Sequence, residues 1–198
     1  MNKSLLAIAA ALSAALSGCV APIGPVLVTR FHAPELAALG KGTIAVEPVQ
    51  GLDPASLEWQ TYRDAVMRQL VLLGYGEAAA GTPSAQVAEL RLSRETFQPD
   101  RAGSPVSVGI GGSTGSYGSG LGVGIGLNLS PKPSAQVETL LSVIIKDRAS
   151  TKSLWEGRAS FAVSVKSPLA ETGLAAHKLA TALFQGFPGT SGETIEVK

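Results

Sequence analysis

The chain has 198 residues, 45% of them hydrophobic and 16% charged, with a formal net charge of +1. That length suggests one domain plus a targeting segment, and the apolar content suits a packed core rather than intrinsic disorder. The first eighteen residues hold one Lys and no acid, so 15 basic and 15 acidic residues balance in the remainder. A neutral body of this kind lacks the basic footprint of a nucleic-acid binder.

Lys3 supplies a positive n-region, and Leu5 to Leu16 is almost wholly apolar. A spanning helix needs about 20 apolar residues, so this shorter run predicts a cleaved export signal over residues 1–18. Leu16-Ser17-Gly18-Cys19 resembles the bacterial lipobox. The resemblance implies cleavage before Cys19, a diacylglyceryl chain on its sulfur and acylation of the freed amine, palmitate being a typical chain. Several acyl chains hold a protein on a membrane stably, where one holds it only marginally. Cys19 is the only Cys, which excludes an internal disulfide; lipidation is the use that the lipobox resemblance implies, against the alternative of an ordinary small hydrophobe. Val20 stands where retention in the inner membrane would favour Asp. The expected place is therefore the outer membrane, lipid-anchored and facing the periplasm.

Residues 19–42 read as a lipidated tether, within which Pro25 to Phe31 is β-rich and predicts a first, edge strand. The folded domain is expected over 43–198, starting with a strand from Thr43 to Val49. Asp53-Pro54 reads as an N-cap with Pro at N1. Trp59, Tyr62, Val66, Leu70 and Leu73 then share one helical face, and Gly74 suits a left-handed C′ position. Gln86 to Gln98 is a strand with Ala88, Leu90 and Leu92 facing in. Val137 to Ile145 and Trp155 to Val165 alternate with polar residues around an Asp147–Lys152 turn and predict an antiparallel hairpin. Ser167-Pro168 repeats the cap-plus-Pro pattern before a helix carrying Leu169, Gly173, Ala176, Ala180, Leu183 and Phe187. Glu193 to Lys198 adds a short closing strand. The expected fold is α+β: an antiparallel sheet with two amphipathic helices on one face and a glycine-rich hairpin.

That hairpin is predicted over residues 105–131, PVSVGIGGSTGSYGSGLGVGIGLNLSP. Leu121, Val123, Ile125, Leu127 and Leu129 alternate with Gly122, Gly124, Gly126 and Asn128, and Val106, Val108 and Ile110 echo them. Period two predicts one aliphatic and one nearly bare face, with the turn in Gly111 to Gly120. The G-x-G-x-x-G-like strings do not make a phosphate loop, because strand-like alternation continues on both sides and no Gly-Lys-Ser/Thr follows. Two readings stand for the bare face. One is a projecting flexible loop; the other is a surface that docks a partner strand, a copy of itself or lipid.

Neither His32 nor His177 has a His, Cys or carboxylate at ligand spacing, so no metal or cofactor site is expected. The G-x-S-x-G string Gly111-Gly112-Ser113-Thr114-Gly115 lies inside the predicted hairpin and not at a strand-to-helix elbow, and Trp59 and Trp155 lie on apolar faces. No catalytic residue is expected.

Leu70-Val71-Leu72-Leu73-Gly74-Tyr75, then Asp147 through Trp155-Glu156-Gly157, then Phe184-Gln185-Gly186-Phe187-Pro188-Gly189 resemble motifs of small bacterial envelope lipoproteins classed as a domain of unknown function. The resemblance covers most of residues 26–198; it departs where Gln86 stands in place of a common Asp and in the first strand. It supplies no catalytic residues and implies a structural or interactive role. The expected function is a non-catalytic binding or assembly module, with an envelope protein partner meeting the glycine-rich hairpin. A carrier or sensor of a small apolar ligand is the alternative, and an envelope hydrolase the third reading.

Overall fold

A computed structural model describes residues 24–79, 82–99, 106–115, 118–127 and 133–198. The elements in chain order are β1 (Val26–His32), β2 (Thr43–Pro48), α1 (Leu57–Leu72), β3 (Gly76–Glu77) and β4 (Gln86–Phe97). They continue with β5 (Val106–Gly115), β6 (Gly118–Leu127), β7 (Gln136–Asp147), β8 (Ser153–Ser164), α2 (Thr172–Phe184) and β9 (Thr194–Val197). Seven strands form one sheet in the order β3-β2-β4-β7-β8-β1-β9, while β5 and β6 pair with each other in a second sheet.

The fold is α+β, but its main sheet is mixed rather than antiparallel. β2 runs parallel to both β3 and β4, and the other neighbours are antiparallel. Parallel neighbours need a crossover, and α1 supplies it by carrying the chain back to the end where β2 began. The expected edge strand in the tether is also corrected. β1 lies between β8 and β9, with Val26 and Val28 fully buried, so the packed domain starts at Val26 and not at residue 43.

Sheet and helices close on one apolar cluster. Ile44, Leu90, Leu141, Val143, Ile145, Trp155, Ala159 and Phe161 meet Tyr62, Val66 and Leu70 of α1 and Ala176, Leu179 and Leu183 of α2. Burial alternates along β8, with Trp155, Gly157, Ala159, Phe161 and Val163 buried and Glu156, Arg158, Ser160 and Ser164 outward. The opposite sheet face carries Glu89, Arg91, Ser142 and Ile144 around an open groove.

Both helix starts differ from expectation. The cap of α1 is Ser56, whose Oγ accepts from the Trp59 amide at 3.5 Å. Asp53 sits three residues earlier, its Oδ1 accepting from the Ala55 amide at 2.9 Å in a local Asx turn. Ser167-Pro168 opens a single 3₁₀ turn, Pro168–Ala170, and α2 begins after it at Thr172. The chain must turn off the sheet before either helix can lie on it, and the Pro-containing turns make that bend. α2 also buries Ala175, Leu179 and Phe184, a wider face than the predicted stripe, because it packs against α1 as well as the sheet. At the end of α1, Gly74 takes φ +102°. Its amide bonds Val71 O at 3.0 Å, and the Tyr75 amide bonds Leu70 O at 3.1 Å, which is the Schellman pattern.

Candidate functional site

Cys19 and the lipobox lie outside the described residues. His32 Nδ1 is 2.8 Å from the Ala33 carbonyl, and His177 is exposed on α2. Among the described residues no group of three or more His, Cys, Asp or Glu is arranged to hold a metal ion. No described helix is long and apolar enough to cross a membrane.

A cleft of about 350 Å³ opens where the first turn of α1 meets β4, lined by Leu52, Asp53, Ser56, Glu58, Trp59, Leu92 and Arg94. Arg94 Nη1 is 3.4 Å from Glu58 Oε1 and donates to Thr172 Oγ1 at 3.2 Å, and Nη2 donates to the Ala170 carbonyl. One guanidinium thus ties β4, the start of α1 and the turn before α2 together. Its charge offsets that of Glu58, and Asp53 adds a further carboxylate to the lining.

Behind this mouth the indole Nε1 of Trp59 and the hydroxyl of Tyr62 are buried without a hydrogen-bond partner in the structure. Burial, and then the nearby Glu58 charge, push the Tyr62 phenol up to about 12, with Arg94 acting the other way. A raised pKa means the fold favours the neutral phenol. Its contribution is complete below pH 10 and is lost as pH rises towards 12, a loss of about 2–3 kcal/mol. Tyr62→Phe is expected to remove that alkaline loss and, by deleting an unpartnered hydroxyl, to raise stability at pH 7 by up to about 1 kcal/mol. Urea unfolding at pH 7 and at pH 11 checks both; a clear destabilisation at pH 7 refutes the prediction.

Arg94 was not singled out by sequence reasoning. It continues the inward parity of Ala88, Leu90 and Leu92, and a charge at that register was the signal. Gln86, noted in the sequence as standing where the resembled motif has Asp, is buried at the start of β4. It accepts from Tyr75 Oη at 3.2 Å and donates from Nε2 to Ala38 O at 2.8 Å and Lys41 O at 3.3 Å. It therefore fastens the 33–42 loop to the sheet, a task a carboxylate could not perform because it has no donor.

β5 and β6 form the third feature. Their register sets Val106 opposite Leu127, Val108 opposite Ile125 and Ile110 opposite Val123. At the intervening positions Ser107 meets Gly126, Gly109 meets Gly124 and Gly111 meets Gly122. The chain leaves the main sheet at Phe97 and rejoins it at Gln136, which are paired. Gln98 donates to the Pro133 carbonyl there, and the Val165 amide to Ala135 O at 3.0 Å.

No family model matches the chain. A stretch of 67 residues is 45% identical to an uncharacterized protein of Zymomonas mobilis subsp. mobilis, covering 33% of this chain and 24% of that protein. The chain thus matches about a quarter of that relative's length. Among solved structures, a PDZ domain protein from Parabacteroides distasonis aligns over 99% of this chain and 43% of its own, with 9% identity and a TM-score of 0.50. At that identity the likeness concerns the fold alone, and this chain spans less than half of that protein. A PelC dodecamer from Paraburkholderia phytofirmans aligns over 84% of this chain and 99% of its own, with 11% identity and a TM-score of 0.43.

Proposed function

We propose that the chain is a lipid-anchored envelope lipoprotein, held through Cys19 at the outer membrane and facing the periplasm, and that it serves as a non-catalytic binding or assembly module. In this reading it belongs with the domain-of-unknown-function lipoproteins that its Gly74-Tyr75 and Trp155-Glu156-Gly157 motifs resemble. Placement rests on Leu16-Ser17-Gly18-Cys19 at the end of a short apolar run. The binding role rests on one observation, the β5–β6 register, in which Val106, Val108 and Ile110 meet Leu127, Ile125 and Val123 while the positions between them pair Gly or Ser with Gly. Such a ribbon has one apolar face and one bare face and little core of its own, so its stability favours contact with another surface. The space between helices and sheet is filled by Tyr62, Leu70, Trp155, Leu179 and Leu183, all under 2% exposed, which favours a surface-acting module over a carrier.

Fractionation of cells expressing the wild type and Cys19→Ala tests the anchor. The wild type is expected in the membrane fraction and the variant in the periplasm, and an unchanged membrane pool in the variant refutes the anchor. Deleting residues 111–120 is expected to abolish crosslinked envelope partners. If the captured partners are unchanged, the hairpin is not the contact surface.

A further inference from the structure

We propose that the β5–β6 hairpins of several copies of this chain join edge to edge into one closed β-barrel across the outer membrane. In it the aliphatic positions face the acyl chains, and the glycine and serine positions face a water-filled lumen. The inference rests on the lipid-anchored reading above and names what the hairpin meets.

Length comes first. β5 and β6 are ten residues each, and a tilted membrane-crossing strand needs about 9–11. Charge comes second. No Asp, Glu, Lys or Arg occurs from Ala102 to Pro131, in a chain that is 16% charged. The segment between the aliphatic rows, Ser113 to Ser119, is polar but uncharged and small except for Tyr117, so its passage through hydrocarbon avoids the largest penalty. The alternation of aliphatic with Gly or Ser, from Leu121 to Leu127 in β6 and from Val106 to Ile110 in β5, is the two-faced period of a barrel wall.

A single hairpin could not stay in lipid, because its two outer edges would leave backbone N–H and C=O groups unpaired. Among the described residues no free strand edge is long enough to pair them. The edges of the main sheet are β3 and β9, of two and four residues, too short to receive a ten-residue strand. Neighbouring copies offer an edge of matching length, and closure removes edges altogether.

Register also places the hairpin beside the anchor. Phe97 pairs with Gln136, and Gln136 with Ser164, which marks one end of the sheet. β1 enters at that same end, since Leu27 pairs with Ser160. Cys19 lies seven residues before Val26, a reach of about 25 Å at most. The lipid therefore holds against the bilayer the end of the domain from which the hairpin departs.

The test uses the full lipidated protein, reconstituted from detergent into planar bilayers of phosphatidylethanolamine and phosphatidylglycerol. Discrete conductance steps and an oligomer band on unheated gels are expected for the wild type. Ile125→Lys, on the aliphatic face, should lower the frequency of steps by roughly 30-fold or more, the effect of a charge on the lipid side of a barrel. Gly124→Ser, on the bare face, should keep the steps. Urea midpoints of both variants should match the wild type, since neither residue lies in the main sheet. Absence of steps in the wild type, or equal effects of the two substitutions, overturns the barrel. If steps are absent while deletion of 111–120 still abolishes crosslinked partners, the barrel fails and the binding-module reading stands. If neither measurement responds to the deletion, both fail.

Discussion

Gly157→Ala will lower the unfolding free energy by about 3 kcal/mol, although it adds a single methyl group to a strand. A Cβ at this position would overlap Cη2 of Trp155 and come within 2.8 Å of Leu183 Cδ1 and Trp155 Cζ2. The indole cannot step aside. It stacks on Phe184 at 5.3 Å and 18°, touches Phe187 at 5.1 Å, and donates from Nε1 to the Pro188 carbonyl at 2.9 Å. The methyl therefore displaces a ring held on three sides, and the cost combines overpacking with lost aromatic contact. This explains the Trp-x-Gly spacing physically: residue 157 is small because the side chain of residue 155 lies over it. Gly173→Ala is the internal control. Nothing lies within 4 Å of a Cβ there, so in the first turn of α2 it should stabilise by about 0.5 kcal/mol. Urea unfolding of the two variants checks the pair. Equal effects would refute the steric account.

Arg30→Leu will cost about 2–3 kcal/mol, the second largest expected effect. Arg30 is only 5% exposed on β1. Its Nε donates to Leu183 O and its Nη2 to Ala182 O, both at 3.2 Å. Those carbonyls belong to the last turn of α2, where the dipole favours a cation; Ala182 O also accepts from the Gln185 amide at 3.3 Å, so Leu183 O is the one that depends on Arg30. Burial pulls the guanidinium below the ordinary arginine pKa, with Glu193 acting in the opposite sense, so the charge is held at some desolvation cost. Leucine relieves that cost but orphans Leu183 O at a buried helix end and leaves Ala182 O with the Gln185 amide alone. The lost bonds weigh more, because an unmade buried bond to a charged donor costs about 1–3 kcal/mol. Arg30→Lys should lie between, since an ammonium cannot span both carbonyls in one plane. Should Arg30→Leu prove neutral in thermal and urea unfolding, the capping role is refuted.

Local periodicity made much of this architecture legible. The three- and four-residue spacing of Trp59, Tyr62, Val66 and Leu70 matches the buried face of α1, and Gly74 takes the positive φ that ends it. The alternation of Trp155, Ala159, Phe161 and Val163 matches the buried face of β8. These patterns are readable because a helix or strand with one apolar face repeats its environment at a fixed interval. The cap of α1 was misread at Asp53 because Asp-Pro satisfies an Asx turn as readily as a helix start. Arg30 and Arg94 were passed over for a related reason. Each breaks an apolar series at its polar end, and only the partner carbonyls explain why a charge is tolerated there.

By itself the sequence carried the pattern on which lipid attachment at Cys19 is proposed, and it determined the two helical stripes, the alternating strands, and the charge-free run from Ala102 to Pro131. These are properties of short windows, in which each residue's neighbours in the chain are also its neighbours in space. Tertiary structure alone decided that β1 is an inner strand between β8 and β9, that β2 runs parallel to β4, and that the hairpin departs from the end where β1 enters. Those facts depend on contacts between residues far apart in the chain, from Phe97 with Gln136 to Leu27 with Ser160. Such contacts are selected by the total apolar surface buried when all elements pack at once, a sum to which no local window holds the terms.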